Sequence, residues 1–400
     1  MEPISSRAGK TVMQKSGYLA FVPESLPVHL AYDDETIRLL SEADLALGRL
    51  SGISALLPNP DLFVAMYVKK EAVLSSQIEG IQCTLDDVLQ YENDAEGVRT
   101  KAVGEVVNYV DAMNYGRERL DTLPLSLRLI REIHGHLLDG ARGEHKSPGE
   151  FRRSQNWIGP PGSTLSNAAY VPPPVPEMME ALSNLEHFMH DRVSMPLTVQ
   201  CAVLHAQFET IHPFLDGNGR LGRLLVSLLL HERGMLRQPL LYISLFLKEN
   251  RAEYYDRLMD VRKNGNWEGW CKFFLKGFAQ VSNEAALTAR RIIEFREGAL
   301  AQARQLGKHE MALIDILFKH PMMDARSAER HLGCSYNTAA STLQNLERIG
   351  HLAETTGQKR GKIYKFVGYL RMFEERDTSS PRNEEGVETE SERQRKPSCR

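Results

Sequence analysis

The chain has 400 residues, of which 25% are Asp, Glu, Lys or Arg and 42% are hydrophobic, and its formal net charge is −3. That balance is ordinary for a water-soluble globular protein and exerts no global pull toward nucleic acid or an anionic membrane, while the length allows two or three domains with cores of their own. The scattered cysteines (Cys83, Cys201, Cys271, Cys334, Cys399) include no Cys-x-x-Cys pair, which excludes a disulfide frame or a zinc cluster and suits a reducing compartment.

Residues 1–35 carry Gly, Pro and Ser without helical periodicity and read as an extended lead-in. Residues 1–16 hold no apolar stretch of signal-peptide length, and the longest strongly apolar run, Leu224 to Leu230, is too short for a bilayer. A cytoplasmic location without a membrane partner is expected. The spacing of Ile37, Leu39, Leu40, Leu45 and Leu47 predicts a helix from Asp34 to about Leu50. A second helix runs from Asp61 to about Gln77 and ends in Ser75-Ser76-Gln77-Ile78-Glu79-Gly80. Glu79 can be a solvated acid before a glycine cap, but a carboxylate at a helix C-terminus is disfavoured by the helix dipole and invites a cationic partner. Thr84 with Asp86 and Asp87 opens a further helix, Glu92 to Gly97 is a polar break, and Ala102 to Tyr115 and Leu125 to Leu138 are helical. His134 and His136, two apart, point to different faces and are read as structural or surface residues.

Residues 139–176 break the helical period. Pro148-Gly149-Glu150-Phe151-Arg152, then Asn156-Trp157-Ile158-Gly159 and Ala169-Tyr170-Val171-Pro172 around a Gly/Pro/Ser-rich tip, have the grammar of a small hairpin. After a helix from Pro176 to His190, the apolar run Leu197 to Ile211 leads into His212-Pro213-Phe214-Leu215-Asp216-Gly217-Asn218-Gly219-Arg220-Leu221-Gly222-Arg223 and then into Leu224 to Leu230. This is a loop opening a helix. Its glycines permit close backbone approach, and the free amides and dipole of the new helix make an anion seat. Arg220 and Arg223, three apart, share a face toward an anion, Asp216 offers a hard oxygen to Mg²⁺, and His212 can take a proton near neutral pH. One base, one metal carboxylate, an anion seat and two arginines within twelve residues describe phosphoryl or nucleotidyl transfer. The ending is not the Gly-Lys-Ser/Thr of a P-loop.

Beyond the loop, Lys248 to Lys263 is a helix. Trp267, Trp270, Phe273, Phe274 and Phe278 read as core, and one of Tyr242, Tyr254 and Tyr255 is a candidate for an adenine pocket. Residues 281–306 form a long charged connector helix. Helices at 308–319, 324–332 and 335–349 and extended pieces at 351–354 and 362–367 resemble a winged helix-turn-helix. Residues 306–370 hold nine Lys or Arg against six Asp or Glu, and the third helix has no arginine before Arg348. With so thin a basic face, regulatory docking or dimerisation ranks ahead of sequence-specific DNA binding. Residues 374–400 have almost no apolar side chains and read as a disordered tail.

The run His-Pro-Phe-x-Asp-Gly-Asn-Gly-Arg-x-x-Arg at 212–223 resembles, at every defined position, the signature of the Fic family, whose members mostly transfer AMP from ATP to hydroxyl side chains of proteins. The resemblance implies that His212 deprotonates the target hydroxyl and that Asp216 holds Mg²⁺, with Mn²⁺ as an alternative. It further implies that Gly217, Asn218, Gly219 and Arg220 hold the α- and β-phosphates and that Arg223 takes the γ-phosphate. Ser75-x-x-x-Glu79-Gly80 is similar to the family's inhibitory motif, which implies that Glu79 pairs with Arg223 where the γ-phosphate must go. The hairpin is similar to the family's target-docking flap, which assigns docking to Trp157, Ile158 and Tyr170 by strand addition.

The expected fold is therefore mainly α, a Fic-type helical bundle with a small β-hairpin flap and a C-terminal winged helix-turn-helix. Its expected parts are an N-terminal helical region at 1–100 with the inhibitory helix near 61–80, a catalytic domain at 101–285, a connector at 286–305, a winged helix at 306–370 and a tail at 371–400. The expected activity is Mg²⁺-dependent protein adenylyltransfer, a nucleotidyltransferase reaction braked by Glu79. Removal of AMP with the help of Glu79 and a nucleotide-responsive DNA-binding regulator are the alternatives. The expected partners are ATP, a hydroxyl-bearing protein that can be the chain itself, DNA through the winged helix, and a second copy in a homodimer.

Overall fold

The structure is a computed structural model that describes residues 7–55, 60–93, 100–140, 146–358 and 360–374. Two strands, β1 (Gly9–Met13) and β2 (Leu19–Pro23), form an antiparallel hairpin and are followed by helices α1 (Asp34–Ala55), α2 (Pro60–Ile78), α3 (Leu85–Asn93), α4 (Lys101–Leu120) and α5 (Leu127–Leu137). Then come α6 (Val175–His190), α7 (Leu197–Ile211), α8 (Asn218–Glu232), α9 (Ile243–Glu249), α10 (Arg251–Asn264) and α11 (Trp267–Arg304). The C-terminal elements are α12 (Lys308–Lys319), β3 (Met322–Asp324), α13 (Ala325–Leu332), α14 (Tyr336–Arg348), β4 (Leu352–Glu354), β5 (Ile363–Phe366) and α15 (Val367–Leu370). The last three strands pair antiparallel in the order β3-β5-β4. The fold is mainly helical with small antiparallel sheets, as the residue periodicities lead one to expect.

The middle of the bundle consists of two helices buried along their length. Every residue of α7 from Thr198 to Ile211 is buried, as is most of α8, because neither helix has a polar face to turn to water. α2 is also enclosed, packed between α4, α9 and α12, and its polar residues Lys69, Lys70, Glu71, Ser75 and Ser76 are all buried. Buried polar groups must be partnered. Glu71 takes hydrogen bonds from Ser244 and from the Tyr109 hydroxyl, and Lys69 pairs with Glu92 at 2.7 Å. One apolar cluster runs through all of this, from Leu26 to Phe373.

Two regions differ from the sequence reading. The lead-in contains the β1–β2 hairpin, turned at Gly17 in the left-handed region with φ of 83°, and Phe21 N–H donates to the Val171 carbonyl at 3.0 Å. Its strands are short and only weakly alternating, so their pairing is set by the flap they lean on. The connector helix begins at Trp267, because Trp270, Phe274 and Phe278 place the first turns of α11 in the core and its charged face emerges only later. The expected polar break at 92–97, the basic tip residue Lys359 and the tail lie wholly or largely outside the described residues.

Trp270 is fully buried, stacks against His205 and donates its indole N–H to the Ala202 carbonyl of α7 at 2.7 Å. Replacing it by alanine removes about 3–5 kcal/mol of packing. The expected outcome for Trp270→Ala is a thermal unfolding midpoint several degrees below wild type by differential scanning calorimetry; an unchanged midpoint would show that α11 does not anchor on α7.

Candidate active site

The loop between α7 and α8 is shaped by side chains that bind its backbone. α7 ends at His212, whose φ of 49° and ψ of 61° turn the chain into the left-handed region, a conformation unusual for a non-glycine residue. Arg152 Nε and Asn156 Nδ2 donate to the His212 carbonyl, Arg152 N–H donates to the Pro213 carbonyl at 2.9 Å, and Asn156 Nδ2 also donates to the Phe214 carbonyl at 2.9 Å. Asn218 closes the loop from the other side: its Oδ1 accepts from Phe214 N–H and its Nδ2 donates to the Phe214 carbonyl, both at 2.9 Å. Asn218 is buried, and these two bonds leave one of its two Nδ2 protons for a further acceptor.

His134 supplies the floor. Gly149 N–H donates to its Nδ1 at 2.9 Å, so Nε2 carries the proton and donates to the Asp216 carbonyl at 3.1 Å. Its ring stacks on Phe214 with centroids 3.7 Å apart. Burial pushes it down to about 4 and keeps it neutral. The structure thus makes His134 a support of the loop, while His136 faces elsewhere and stacks on Tyr115.

Gly217, with φ of 76°, caps α8 without a side-chain hydrogen bond, so the first amides of that helix carry no side-chain cap. The two arginines share this helix end but take different counter-ions. Arg220 Nη1 lies 2.9 Å from Glu105 Oε2 of α4 and its Nη2 lies 3.9 Å from Asp216, while its buried Nε has no partner among the described residues. Arg223, 1% exposed, gives Nε to Ser75 Oγ and Nη2 to the Ser75 carbonyl, each at 2.9 Å, and Nη2 to Glu79 Oε1 at 2.8 Å. Burial opposes its charge, but Glu79, Tyr254 and Glu209 outweigh burial and hold it above the ordinary range. Ser75, Glu79 and Arg223 are therefore brought together. Glu79 packs so closely on Gly219 that any side chain there would collide with its carboxylate.

His212 is 19% exposed at the side chain. Burial first, then the charges of Arg262 and Arg152, push it down to about 3, which leaves a neutral imidazole at the lip. Asp216 Oδ1 accepts from Gly217 N–H at 2.6 Å and its side chain is 41% exposed. No group of three or more His, Cys, Asp or Glu side chains able to hold a metal occurs among the described residues. An open single carboxylate beside an anion seat suits Mg²⁺, which takes one or two protein carboxylates and completes its shell with phosphate oxygens and water.

Of the flap residues, Ile158 and Tyr170 form a single antiparallel bridge, with hydrogen bonds of 2.8 and 3.0 Å. Trp157 is 43% exposed and available to a partner. Tyr170 is buried: its hydroxyl donates to the Thr210 carbonyl at 2.7 Å and the Arg262 guanidinium lies 4.0 Å from its ring. It holds the flap on α7, and because its bridge takes both backbone groups of Ile158, Trp157 is the one of the three flap residues whose side chain is open to a partner. Among the tyrosines, Tyr254 and Tyr255 feel Glu79 and Arg223, whereas Tyr242 packs on Tyr67. Sequence reasoning missed Glu105 and Glu209. An Arg in a buried motif needs a carboxylate, and an acid in α7, a helix with no charged face to turn to water, was the visible signal.

Replacing Asn218 by alanine leaves the Phe214 N–H and carbonyl without their partner, a cost of about 1–3 kcal/mol. We expect Asn218→Ala to fold with a lower midpoint and faster amide hydrogen exchange confined to residues 212–218; protection equal to wild type there would remove its role as the staple.

A family model described as "Fic/DOC family" matches residues 124–230, and one described as "Fic/DOC family N-terminal" matches residues 37–118. A protein adenylyltransferase Fic of Drosophila grimshawi is 31% identical over 201 residues, which is 47% of this chain and 38% of that protein. A probable protein adenylyltransferase of Aquifex aeolicus is 26% identical over 219 residues, 53% of this chain and 60% of that protein. The chain thus spans less than two thirds of the length of these relatives. The crystal structure of a Fic family protein from Desulfovibrio desulfuricans G20 superposes with a TM-score of 0.54 over 85% of this chain and 98% of that one, at 19% identity, a likeness of fold. The chain thus carries a Fic/DOC family domain at 124–230, preceded by that family's N-terminal region at 37–118.

Proposed function

We propose that this chain transfers AMP from ATP to a hydroxyl side chain of a protein. The observation that supports this most directly is the loop from His212 to Arg223, complete in its residues and folded with His212 at the lip and the start of α8 free of a side-chain cap. In this reading the α8 amides and Arg220 balance phosphate charge. Asp216 holds Mg²⁺, which when bound offsets charge on the phosphates. His212, neutral at physiological pH, accepts the hydroxyl proton at its outward nitrogen. Most of the rate comes from positioning and preorganised charge. The partly exposed Trp157 and the bridge at Ile158 suit an extended target segment.

Glu79 is the proposed brake. Its 2.8 Å pair with Arg223 occupies the cation that a γ-phosphate would otherwise take, and its seat against Gly219 lies on the turn that must approach the phosphates. A second reading, removal of AMP, rests on the same residue. Glu79 keeps a side chain 36% exposed inside the site, where a carboxylate can orient water. For residues 306–370 we propose a winged helix whose primary role is regulatory docking, because α12 packs on α2, the helix that ends one residue before Glu79. DNA binding is the alternative there, with exposed Arg326, Arg330 and Tyr336 near the start of α14 as its basis.

With ATP labelled at the α-phosphate, Mg²⁺ and cell extract, protein labelling should be weak in wild type, at least tenfold stronger in Glu79→Gly and absent in His212→Ala. Strong labelling by His212→Ala would remove the proposed base. Loss of AMP from a pre-modified protein only when Glu79 is present would make removal the physiological direction.

A further inference from the structure

Glu209 has no place in the motif and no assigned role. It lies one turn before His212 on α7, is 8% exposed at the side chain, and its Oε1 is buried with no hydrogen-bond partner. Its other oxygen, Oε2, lies 3.9 Å from His212 Nδ1, a buried nitrogen that makes no hydrogen bond of normal length and has the Glu209 main-chain carbonyl as its other neighbour. A buried carboxylate with one unpartnered oxygen, beside a buried ring nitrogen without a hydrogen bond of normal length, is costly unless the two groups serve each other. The separation is within ion-pair range and beyond hydrogen-bond length, so a small rotation of the Glu209 side chain or one bridging water completes the contact, as is common before substrate binds. The carboxylate also has a built seat: a Cβ on Gly222 would come within 2.8 Å of Oε1, so the glycine between Leu221 and Arg223 leaves room for it.

Resting on the adenylyltransfer reading, we propose that Glu209 is a positioning residue for His212, receiving its Nδ1–H so that the other ring nitrogen is the one that faces the target hydroxyl. Because Nδ1 is closed off while the ring keeps some exposure, the outward edge carries Nε2. In the reaction the hydroxyl oxygen forms a bond to the α-phosphorus as the bond from that phosphorus to the β-phosphate oxygen breaks. The bonding pair leaves with pyrophosphate, and the hydroxyl proton passes to Nε2. The imidazolium so formed is stabilised by the Glu209 carboxylate and then returns its proton to water.

The surroundings explain why such help is needed. Burial disfavours a positive ring, and Arg262 and Arg152 add to it, so His212 alone is a weak proton acceptor. Around Glu209 stand His205 on its own helix, Arg223 from α8, Arg262 and Tyr254 from α10, and Glu79 from beyond α2. Burial raises Glu209 to about 7, with Arg223 and Arg262 pulling down and Glu79 pushing up. The two groups therefore titrate as a pair, and the working form, with an ionised Glu209, is populated as pH rises through neutrality. A phosphate in place of Glu79 keeps a negative group beside Arg223 and leaves this balance in place.

The test uses the full chain with Glu79→Gly as parent, adding Glu209→Gln or Glu209→Asp. Transfer from α-labelled ATP to protein in extract is followed from pH 5.5 to 9. Glu209→Gln should lower kcat about 10- to 100-fold with KM for ATP within about twofold, and should move the acid limb of the rate profile to lower pH; Glu209→Asp should restore part of the rate. Nitrogen-15 spectra of labelled histidine, with His212 assigned by its alanine variant, provide a readout independent of turnover. In the parent above neutrality His212 should carry its proton on Nδ1, and in Glu209→Gln the tautomer balance should shift and the titration fall by at least one pH unit. An unmoved limb, even with reduced kcat, or an identical tautomer and titration in parent and Gln variant, overturns the proposal. A parent that transfers no label refutes the adenylyltransfer reading instead, and the spectra still decide the role of Glu209.

Discussion

A guanidinium 1% exposed at the centre of a helical bundle is the constraint on which the rest of the site depends. An arginine cannot shed its charge, so Arg223 must be met by anions and acceptors wherever it goes. Here it is met by Ser75 and Glu79, supplied by the end of α2. That need accounts for several otherwise odd features. α2 is almost entirely buried from Val64 onward yet polar in its last turns, Gly219 is bare where a carboxylate leans on it, and Glu79 sits just past the end of a helix whose dipole disfavours an acid. In isolation each of these is a defect of local structure, and together they satisfy one buried cation.

The loop from His212 to Gly217 follows the same logic in miniature. Its backbone carbonyls and amides are satisfied by side chains from three directions: Arg152 and Asn156 from the segment before the flap, Asn218 from α8, and His134 from α5. The loop shape is fixed by protein groups before any nucleotide arrives. A phosphate binding there has no conformational entropy to overcome in the loop, so its binding energy is kept for orientation and charge. Preorganisation of this kind is what makes a turn of few residues chemically effective.

Most of the site was legible in the sequence because it is contiguous. Gly217, Arg220 and Arg223 open α8 as the spacing implied, and the pairing of Ser75 and Glu79 with Arg223 matches the geometry that the resemblance suggested. What was not legible depends on which atoms are left over after folding. Nothing in the letters of the motif says that the Asn218 amide staples Phe214 through both its oxygen and its nitrogen, and an aromatic in a flap gives no sign whether it is exposed, as Trp157 is, or pins the flap to α7, as Tyr170 does. The β1–β2 hairpin escaped notice because its strands are short and the Val171 carbonyl that Phe21 bonds lies 150 residues away. Glu105 and Glu209 were invisible to motif reasoning since an acid in a helix looks like a surface residue until its helix is seen to have no surface.

α11 is a single helix of 38 residues that begins beneath α7 and ends among the C-terminal aromatic rings, where Phe295 meets Phe318 and Phe366. Along its course Ala285 accepts the hydroxyl of Tyr67 from α2, and that same ring is covered edge-on by Phe373. The consequence is mechanical. A continuous helix has no joint, so the C-terminal elements cannot swing on a linker, and they ride on a stiff lever fixed at its other end in the core of the catalytic bundle. A shortened chain cut at the nominal boundary near residue 285 would sever that lever in mid-helix and uncover Tyr67, one helical face away from the turns that hold Arg223.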